Sequence, residues 1–266
     1  MGRRTSIPTM PSSVGSVSDL IDAVNRRQQG DQDILWFRGQ RDDRWDVEPS
    51  IRRGYTPLDE RNFTNRFRSR AAIRYSPAPA YDAHAAWLGL MQHYGLPTRI
   101  LDWTRSPLVA AYFAVEHRLA DMVDSSPGAD AVIWVLRPHA MNRIHPDTDV
   151  TPSIDAVMCK ELLAPAFTDN AAEPNTVMAV MAAETDLRMF VQQGCFTIHS
   201  DPTALNRLNR NAEFIEKLTV PAADIAGLAH EVSVCGFREG DIFPDLGHLA
   251  QELRHAYPPH GAAATP

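Results

Sequence analysis

The chain has 266 residues, of which 44% are hydrophobic and 22% charged, and its formal net charge at pH 7 is −7. Since this is ordinary globular composition with ample material for a core, disordered and collagen-like chains are excluded. The three cysteines are widely separated, which argues against a disulfide framework or a metal module. No apolar run approaches the roughly 20 residues of a membrane span, which argues against a membrane protein. Together these features favour a cytoplasmic location.

Segments rich in small, polar and proline residues predict a flexible arm at residues 1–16 and a flexible tail at 258–266. The residues between them, 17–257, show no change of composition typical of a linker, so we predict a single domain. Apolar periodicity predicts a first helix that ends at Gly30, two helices between residues 58 and 94, and a helix over 108–119 that Ser106 caps.

Short apolar runs predict the strands. The first strand covers 34–37 and places Arg38 at its C-terminal end, where Gly39 permits a tight exit. Further strands are predicted at 98–103, 131–136, 195–199 and 213–220, and further helices at 185–192, 222–230 and 246–256. Because helices and strands do not alternate strictly, we predict an α+β fold with a mixed sheet flanked by helices.

Several motifs follow one another between the first predicted strand and the helix at 108–119. They are Phe37-Arg38-Gly39-Gln40, Glu48-Pro-Ser-Ile-Arg-Arg53, Met91-Gln-His-Tyr-Gly-Leu-Pro-Thr-Arg-Ile-Leu-Asp-Trp-Thr104 and Ser106-Pro107-Leu108. In this order they resemble the FRG-domain family. The resemblance continues through Arg188, Gln193-Gly194 and Ile242-Phe-Pro-Asp-Leu246, so it covers nearly the whole of the predicted domain.

A more distant resemblance is to ADP-ribosyltransferases of the Arg-Ser-Glu type. Phe37-Arg38-Gly39 resembles their first element, and Trp103-Thr104-Arg105-Ser106, which runs into the next helix, is similar to the second. The Glu-x-Glu of the third element is absent, and the best-placed residues are Gln192 and Gln193. This resemblance implies an ADP-ribosyltransferase-like fold, NAD as the substrate, a macromolecular acceptor such as RNA, DNA or a protein, and a role as a toxin or antiphage effector.

The same resemblance implies a role for each candidate site residue. Arg38 would hold the NAD pyrophosphate, since a guanidinium is a rigid and permanently charged fork for phosphate oxygens. Thr104 would position the nicotinamide ribose, and Gln193 would take the place of the missing acid. His93 and Asp102 would shape the site, and Asp102 is also a candidate substitute for the acid. The remaining candidate NAD contacts are Gly39, Gln40 and Tyr94.

An arginine stripe lies on the helix predicted after residue 58. Arg66, Arg70 and Arg74 are spaced i, i+4 and i+8, which places them on one helical face. Such a stripe is typical of a contact with nucleic acid or another anionic partner, and equally of a solvated surface.

Two other function classes remain open at this point. The chain could be a non-catalytic binding module, in which Arg38 and the arginine stripe hold a nucleotide or a nucleic acid. It could also be a phosphodiesterase or nuclease that uses His93 and Asp102. Arg38 also has a purely structural interpretation, an ion pair with one of the nearby carboxylates of Asp42, Asp43 and Asp46. A neutralising partner protein is a further expectation for a toxin.

Overall fold

The computed structural model describes residues 12–29, 34–119, 128–183 and 187–257. Within these residues the strands form one sheet in the order β4-β5-β2-β1-β3-β6. The bounds are β1 Trp36–Gln40, β2 Ile100–Thr104, β3 Ala131–Leu136, β4 Val177–Met181, β5 Gly194–His199 and β6 Ile215–Val220. The predicted α+β class is confirmed. The prediction of a mixed sheet is wrong, because every pairing between these strands is antiparallel and the order of elements along the chain does not fix strand direction.

Helices cover both faces of the sheet. Their bounds are α1 Val17–Gln28, α2 Pro57–Ala71, α3 His84–His93, α4 Pro107–Leu119, α5 Pro138–Ile144, α6 Val157–Leu163, α7 Leu187–Val191, α8 Ile225–Val234, α9 Glu239–Ile242 and α10 Leu246–Ala256. The sequence did not predict α5, α6, α9 or β4. Helices of four to seven residues complete too few turns to show a periodicity, and Pro138, close after β3, is the first residue of α5.

One face of the sheet is covered by two groups of helices. Helices α1, α4 and α8 pack on Phe37, Ile133 and Leu218, which belong to β1, β3 and β6. Helices α2, α3 and α6 pack with Ile100 and Ile198, which belong to β2 and β5. The boundary between the two apolar clusters therefore lies over the junction of β1 and β2.

The flexible arm predicted at residues 1–16 extends too far along the chain, because residues near its end pack on the sheet. The amide of Val14 donates a hydrogen bond to the carbonyl of Thr219 in β6 at 2.9 Å, and the Val14 side chain is buried in the core. Burial of an apolar side chain at the sheet edge holds this segment in place, which composition alone does not show. Residues 1–11 and the predicted tail at 258–266 lie outside the described residues.

The position of Arg38 in its strand also differs from the prediction. Arg38 and Gly39 lie inside β1, paired with Trp134 and Ile133 of β3, and not at a strand end. Gly39 is needed for a different reason: a Cβ atom there would collide with backbone atoms of Ala110 and Ala114 in α4. The close approach of α4 to β1 requires the glycine.

We therefore expect Gly39→Ala to destabilise the chain by about 2 kcal/mol, because overpacking against backbone forces an element to move. Urea unfolding measures this loss. Gly89→Ala is the matched control, since a Cβ atom there meets no heavy atom within 4 Å. Equal stability of the Gly39→Ala variant and the parent chain would contradict the packing argument.

Candidate functional site

A pocket opens where β1 and β2 diverge. These neighbouring strands share one registered pair, Phe37 with Thr104, whereas β1 and β3 share five. The resulting cavity has a volume of about 280 Å³, and we call it the Arg38 pocket. Its walls come from β1, β2, α4, α7 and the segment after β1. The lining residues are Phe37, Arg38, Gly39, Gln40, Arg41, Trp45, Arg53, Asp102, Trp103, Thr104, Val109, Phe113, Glu116, Arg188 and Gln192.

The Arg38 side chain is half-buried at the divergence of the two strands, with its Nε shielded from solvent. Its Nη1 donates to the backbone carbonyl of Asp102 at 2.8 Å, and its Nε has no hydrogen-bond partner among the described residues. Burial lowers the pKa of Arg38 to about 10, so the side chain stays charged at pH 7. An unsatisfied buried donor on a cation is costly. A bound anion would supply the missing acceptors.

The structural interpretation of Arg38 is contradicted. The three acids proposed to pair with it have other partners, since Asp42 pairs with Arg44, Asp43 with Lys217 and Asp46 with Arg207. The guanidinium is therefore not neutralised by the loop that follows β1.

Three further arginines line the same pocket. Arg41 lies 5.8 Å from the centre of the Trp45 ring, and Arg188 lies 4.8 Å from that of Phe243. Arg53 donates to a backbone carbonyl. None of the three forms an ion pair with a carboxylate of the described residues. Four guanidinia in one small cavity favour an anionic ligand there.

Asp102 is held in the pocket by a chain of side-chain hydrogen bonds. The hydroxyl of Thr98 donates to Oε1 of Gln92 at 3.0 Å, which orients the amide so that its Nε2 donates to Oδ2 of Asp102. Asp102 itself is exposed to solvent in the open pocket; desolvation by the surrounding protein raises its pKa, while Arg38 and Gln92 oppose that rise. Sequence reasoning found Asp102 and missed Gln92 as the residue that positions it, although Gln92 opens the motif Gln-His-Tyr-Gly-Leu-Pro-Thr.

A second carboxylate, Glu116, lines the pocket from α4. Burial raises its pKa from the ordinary 4.5 to about 7, and repulsion from Glu239 adds to the rise while Arg41 opposes it. Sequence reasoning missed Glu116. The signal was present, since Val109, Phe113 and Glu116 follow one another at helical spacing in the predicted helix over 108–119 and all face the pocket.

Thr104 lines the pocket with its hydroxyl already engaged. The hydroxyl donates to the backbone carbonyl of Gln192 at 2.6 Å and accepts from the amide of Ser106 at 3.0 Å. This joins the end of β2 to the segment before β5. Ser106 accepts from the amide of Val109 and so caps α4 as predicted. The Thr104 oxygen can accept one more hydrogen bond from a ligand.

The remaining predicted site residues lie outside the Arg38 pocket. Gln193 has an exposed side chain and a positive φ of 49°, and its carbonyl accepts from the amide of Arg105. Gln192 takes the pocket position instead. His93 is exposed at the end of α3, with its ring against Tyr94. The pocket thus brings together five predicted residues, Arg38, Gly39, Gln40, Asp102 and Thr104.

Tyr94 and the arginine stripe belong to a second cavity between α2 and α3, of about 680 Å³, which we call the α2–α3 groove. It is lined by Asp59, Asn62, Phe63, Arg66, Phe67, Arg70, Ala71, Arg74, Tyr75, Leu90, Tyr94 and Leu96. It shares no residue with the Arg38 pocket.

No group of three or more His, Cys, Asp or Glu side chains among residues 12–29, 34–119, 128–183 and 187–257 is arranged to hold a metal ion. None of the helices described above is long and apolar enough to cross a bilayer.

Comparison with known proteins gives one match. The family model of the FRG domain matches residues 33–122, which include β1, α2, α3, β2 and all of α4. The match therefore covers both diverging strands and both pocket carboxylates. No curated protein and no solved structure matches the chain.

Proposed function

From the premise that this chain carries an FRG domain at residues 33–122, we propose that the Arg38 pocket binds NAD and that the chain transfers ADP-ribose from it to a macromolecule. The observation that carries the proposal is the joint presence, in one pocket, of two carboxylates with raised pKa and four guanidinia that form no salt bridge with a described carboxylate. The proposal includes an ADP-ribosyltransferase-like arrangement in which NAD enters between the diverging strands.

The arginines suit the phosphate end of NAD. A pyrophosphate offers oxygens to several donors at once, and Arg38 has an unpartnered Nε while Arg53 and Arg188 are free of ion pairs with the described carboxylates. A volume of about 280 Å³ is at the small end of ligand sites. We therefore place the nicotinamide ribose inside and the adenosine end towards the open mouth.

The carboxylates suit the reacting end. Breaking the bond between ribose C1′ and nicotinamide leaves positive charge on the ribose, which an ionised Asp102 stabilises. Nicotinamide departs as a neutral molecule, and an acceptor oxygen or nitrogen bonds to C1′ as its proton passes to Glu116. A base with a pKa of about 7 is well matched to that transfer. In this scheme Asp102 and Glu116 take the role of the missing acid, which sequence reasoning assigned to Gln193.

The test uses NAD labelled in its adenylate and a cell extract, beside Arg38→Ala and Arg38→Lys. We expect label in a macromolecule and free nicotinamide with the parent chain. Losing hydrogen bonds to a charged group should weaken NAD binding about tenfold to a hundredfold in both variants, because lysine keeps the charge but not the fork. Calorimetric titration of NAD measures the affinity directly.

Arg26→Ala is the control, since Arg26 is exposed on α1 and lies outside the pocket. We expect Arg38→Ala to keep a melting temperature close to the parent's, because Arg38 has a single hydrogen bond to the protein. Binding of NAD without label transfer or nicotinamide release would select the non-catalytic binding module. Absence of NAD binding would refute both the transferase and the binding module.

A nuclease has less support, because His93 does not line the pocket that Asp102 faces.

A further inference from the structure

The α2–α3 groove combines an apolar floor with a cationic rim. Phe63, Phe67, Leu90 and Leu96 form its floor. Arg66, Arg70 and Arg74 form its rim, and all three are exposed to solvent. A cavity of about 680 Å³ is well within the range of ligand sites.

The described residues form no ion pair with the rim arginines, and Arg74 donates only to the carbonyl of Arg70. Asp59, the acid among the lining residues, is engaged in the capping box of α2 with Thr56. In a chain of net charge −7, this row of cations is a local exception that favours an anionic ligand.

The groove also presents aromatic rings to solvent. Tyr94 is 59% exposed and Tyr75 is 39% exposed. The Tyr94 ring contacts two other rings. Its centre lies 6.5 Å from that of Phe67 and 5.0 Å from that of His93. A tyrosine fixed in place yet uncovered is a platform on which a planar group can stack.

We propose that the α2–α3 groove binds single-stranded nucleic acid, with phosphates on Arg66, Arg70 and Arg74 and bases stacked on Tyr94 and Tyr75. Arg66 and Arg70, four residues apart on α2, are separated by a rise of about 6 Å, and Arg74 follows in the turn after the helix end at Ala71, so the row can follow consecutive backbone charges. Stacking platforms beside a basic track are the physical signature of single-strand binding. An acidic peptide would use the arginines but has no need of exposed rings. The inference does not rest on the proposed function, because the groove and the Arg38 pocket share no residue.

Fluorescence anisotropy with a labelled 12-nucleotide oligouridine tests the arginines. The triple variant Arg66→Gln, Arg70→Gln, Arg74→Gln should bind at least tenfold more weakly at low salt. Its slope of log affinity against log salt should fall by about 2, since each single-strand phosphate contact contributes about 0.7. The control variant Arg26→Gln, Arg210→Gln, Arg254→Gln removes the same charge from exposed positions outside the groove and should keep both values.

Variants of Tyr94 test whether the ligand is a nucleic acid rather than another anion. Tyr94→Ala should weaken oligouridine binding at least fivefold, whereas Tyr94→Phe should keep it, because stacking needs the ring and not the hydroxyl. Equal melting temperatures show that neither variant is misfolded. The proposal is overturned if Tyr94→Ala binds as well as the parent, if a duplex of equal length binds more tightly, if polyglutamate or anionic vesicles compete better than unlabelled oligouridine, or if no oligonucleotide binds.

Discussion

Replacing Arg99 with methionine should lower the free energy of unfolding by about 3–5 kcal/mol, which is the range for breaking a buried ion pair by removing one partner. Arg99 is fully buried, and its Nη2 lies 2.6 Å from Oε2 of Glu60. Glu60 is itself almost completely buried in α2. The variant would leave that carboxylate without a cation in the core, so the loss comes mainly from the charge left behind.

The rest of the Arg99 contacts strengthen this expectation. The guanidinium also lies 2.9 Å from Glu173 and donates to the carbonyl of Leu162 at 3.0 Å. One side chain thus ties together the start of β2, helix α2 and the segment around α6. Since domains of this kind have a total stability of about 5–15 kcal/mol, its loss should lower the urea midpoint strongly or prevent folding.

Two further variants make the Arg99 prediction specific. The double variant Arg99→Met, Glu60→Met should be more stable than Arg99→Met alone, because it removes the uncompensated charge together with its partner. Arg210→Met breaks an exposed pair with Glu213 and should leave the melting temperature almost unchanged. A single Arg99→Met variant as stable as the Arg210→Met variant would show that the buried pair is not structural.

Arg99 also shows how far the sequence motif could be interpreted. The motif Gly95-Leu-Pro-Thr-Arg99 follows α3 and precedes β2, and sequence reasoning correctly expected a turn that leads into a strand. It could not identify Glu60 as the partner of Arg99, because that contact joins residues 39 apart in the chain. Long-range polar contacts leave no periodic signal.

The candidate site was likewise only partly predictable from the sequence. The residues of the Phe37-Arg38-Gly39 and Asp102-Trp-Thr104 motifs line one pocket, since neighbouring strands bring them together. Gln193 was expected there, but the left-handed turn before β5 presents Gln192 instead. Neighbouring residues in a turn point their side chains in different directions. Sequence position alone therefore could not decide whether Gln192 or Gln193 faces the pocket.

Glu116→Gln should stabilise the chain at pH 8 by about 3 kcal/mol and leave its stability unchanged near pH 4. Burial raises the pKa of Glu116 from 4.5 to about 7 in the folded chain. Between these two values the folded state holds the proton that the unfolded state has released, so stability falls as pH rises from about 4.5 to 7. A difference of 2.5 units at 1.36 kcal/mol per unit corresponds to about 3 kcal/mol.

Urea unfolding of the parent and Glu116→Gln chains at pH 4, 6 and 8 measures this difference, and other titrating groups cancel in the comparison. Glu161→Gln, on the exposed side of α6, should show no such pH dependence. If the two chains keep the same stability difference at all three values, folding does not raise the pKa of Glu116, and its carboxylate is only a weak base near neutral pH. If the difference grows as predicted, the pocket holds a carboxylate at a cost to stability, which is the expected signature of a group retained for binding or catalysis.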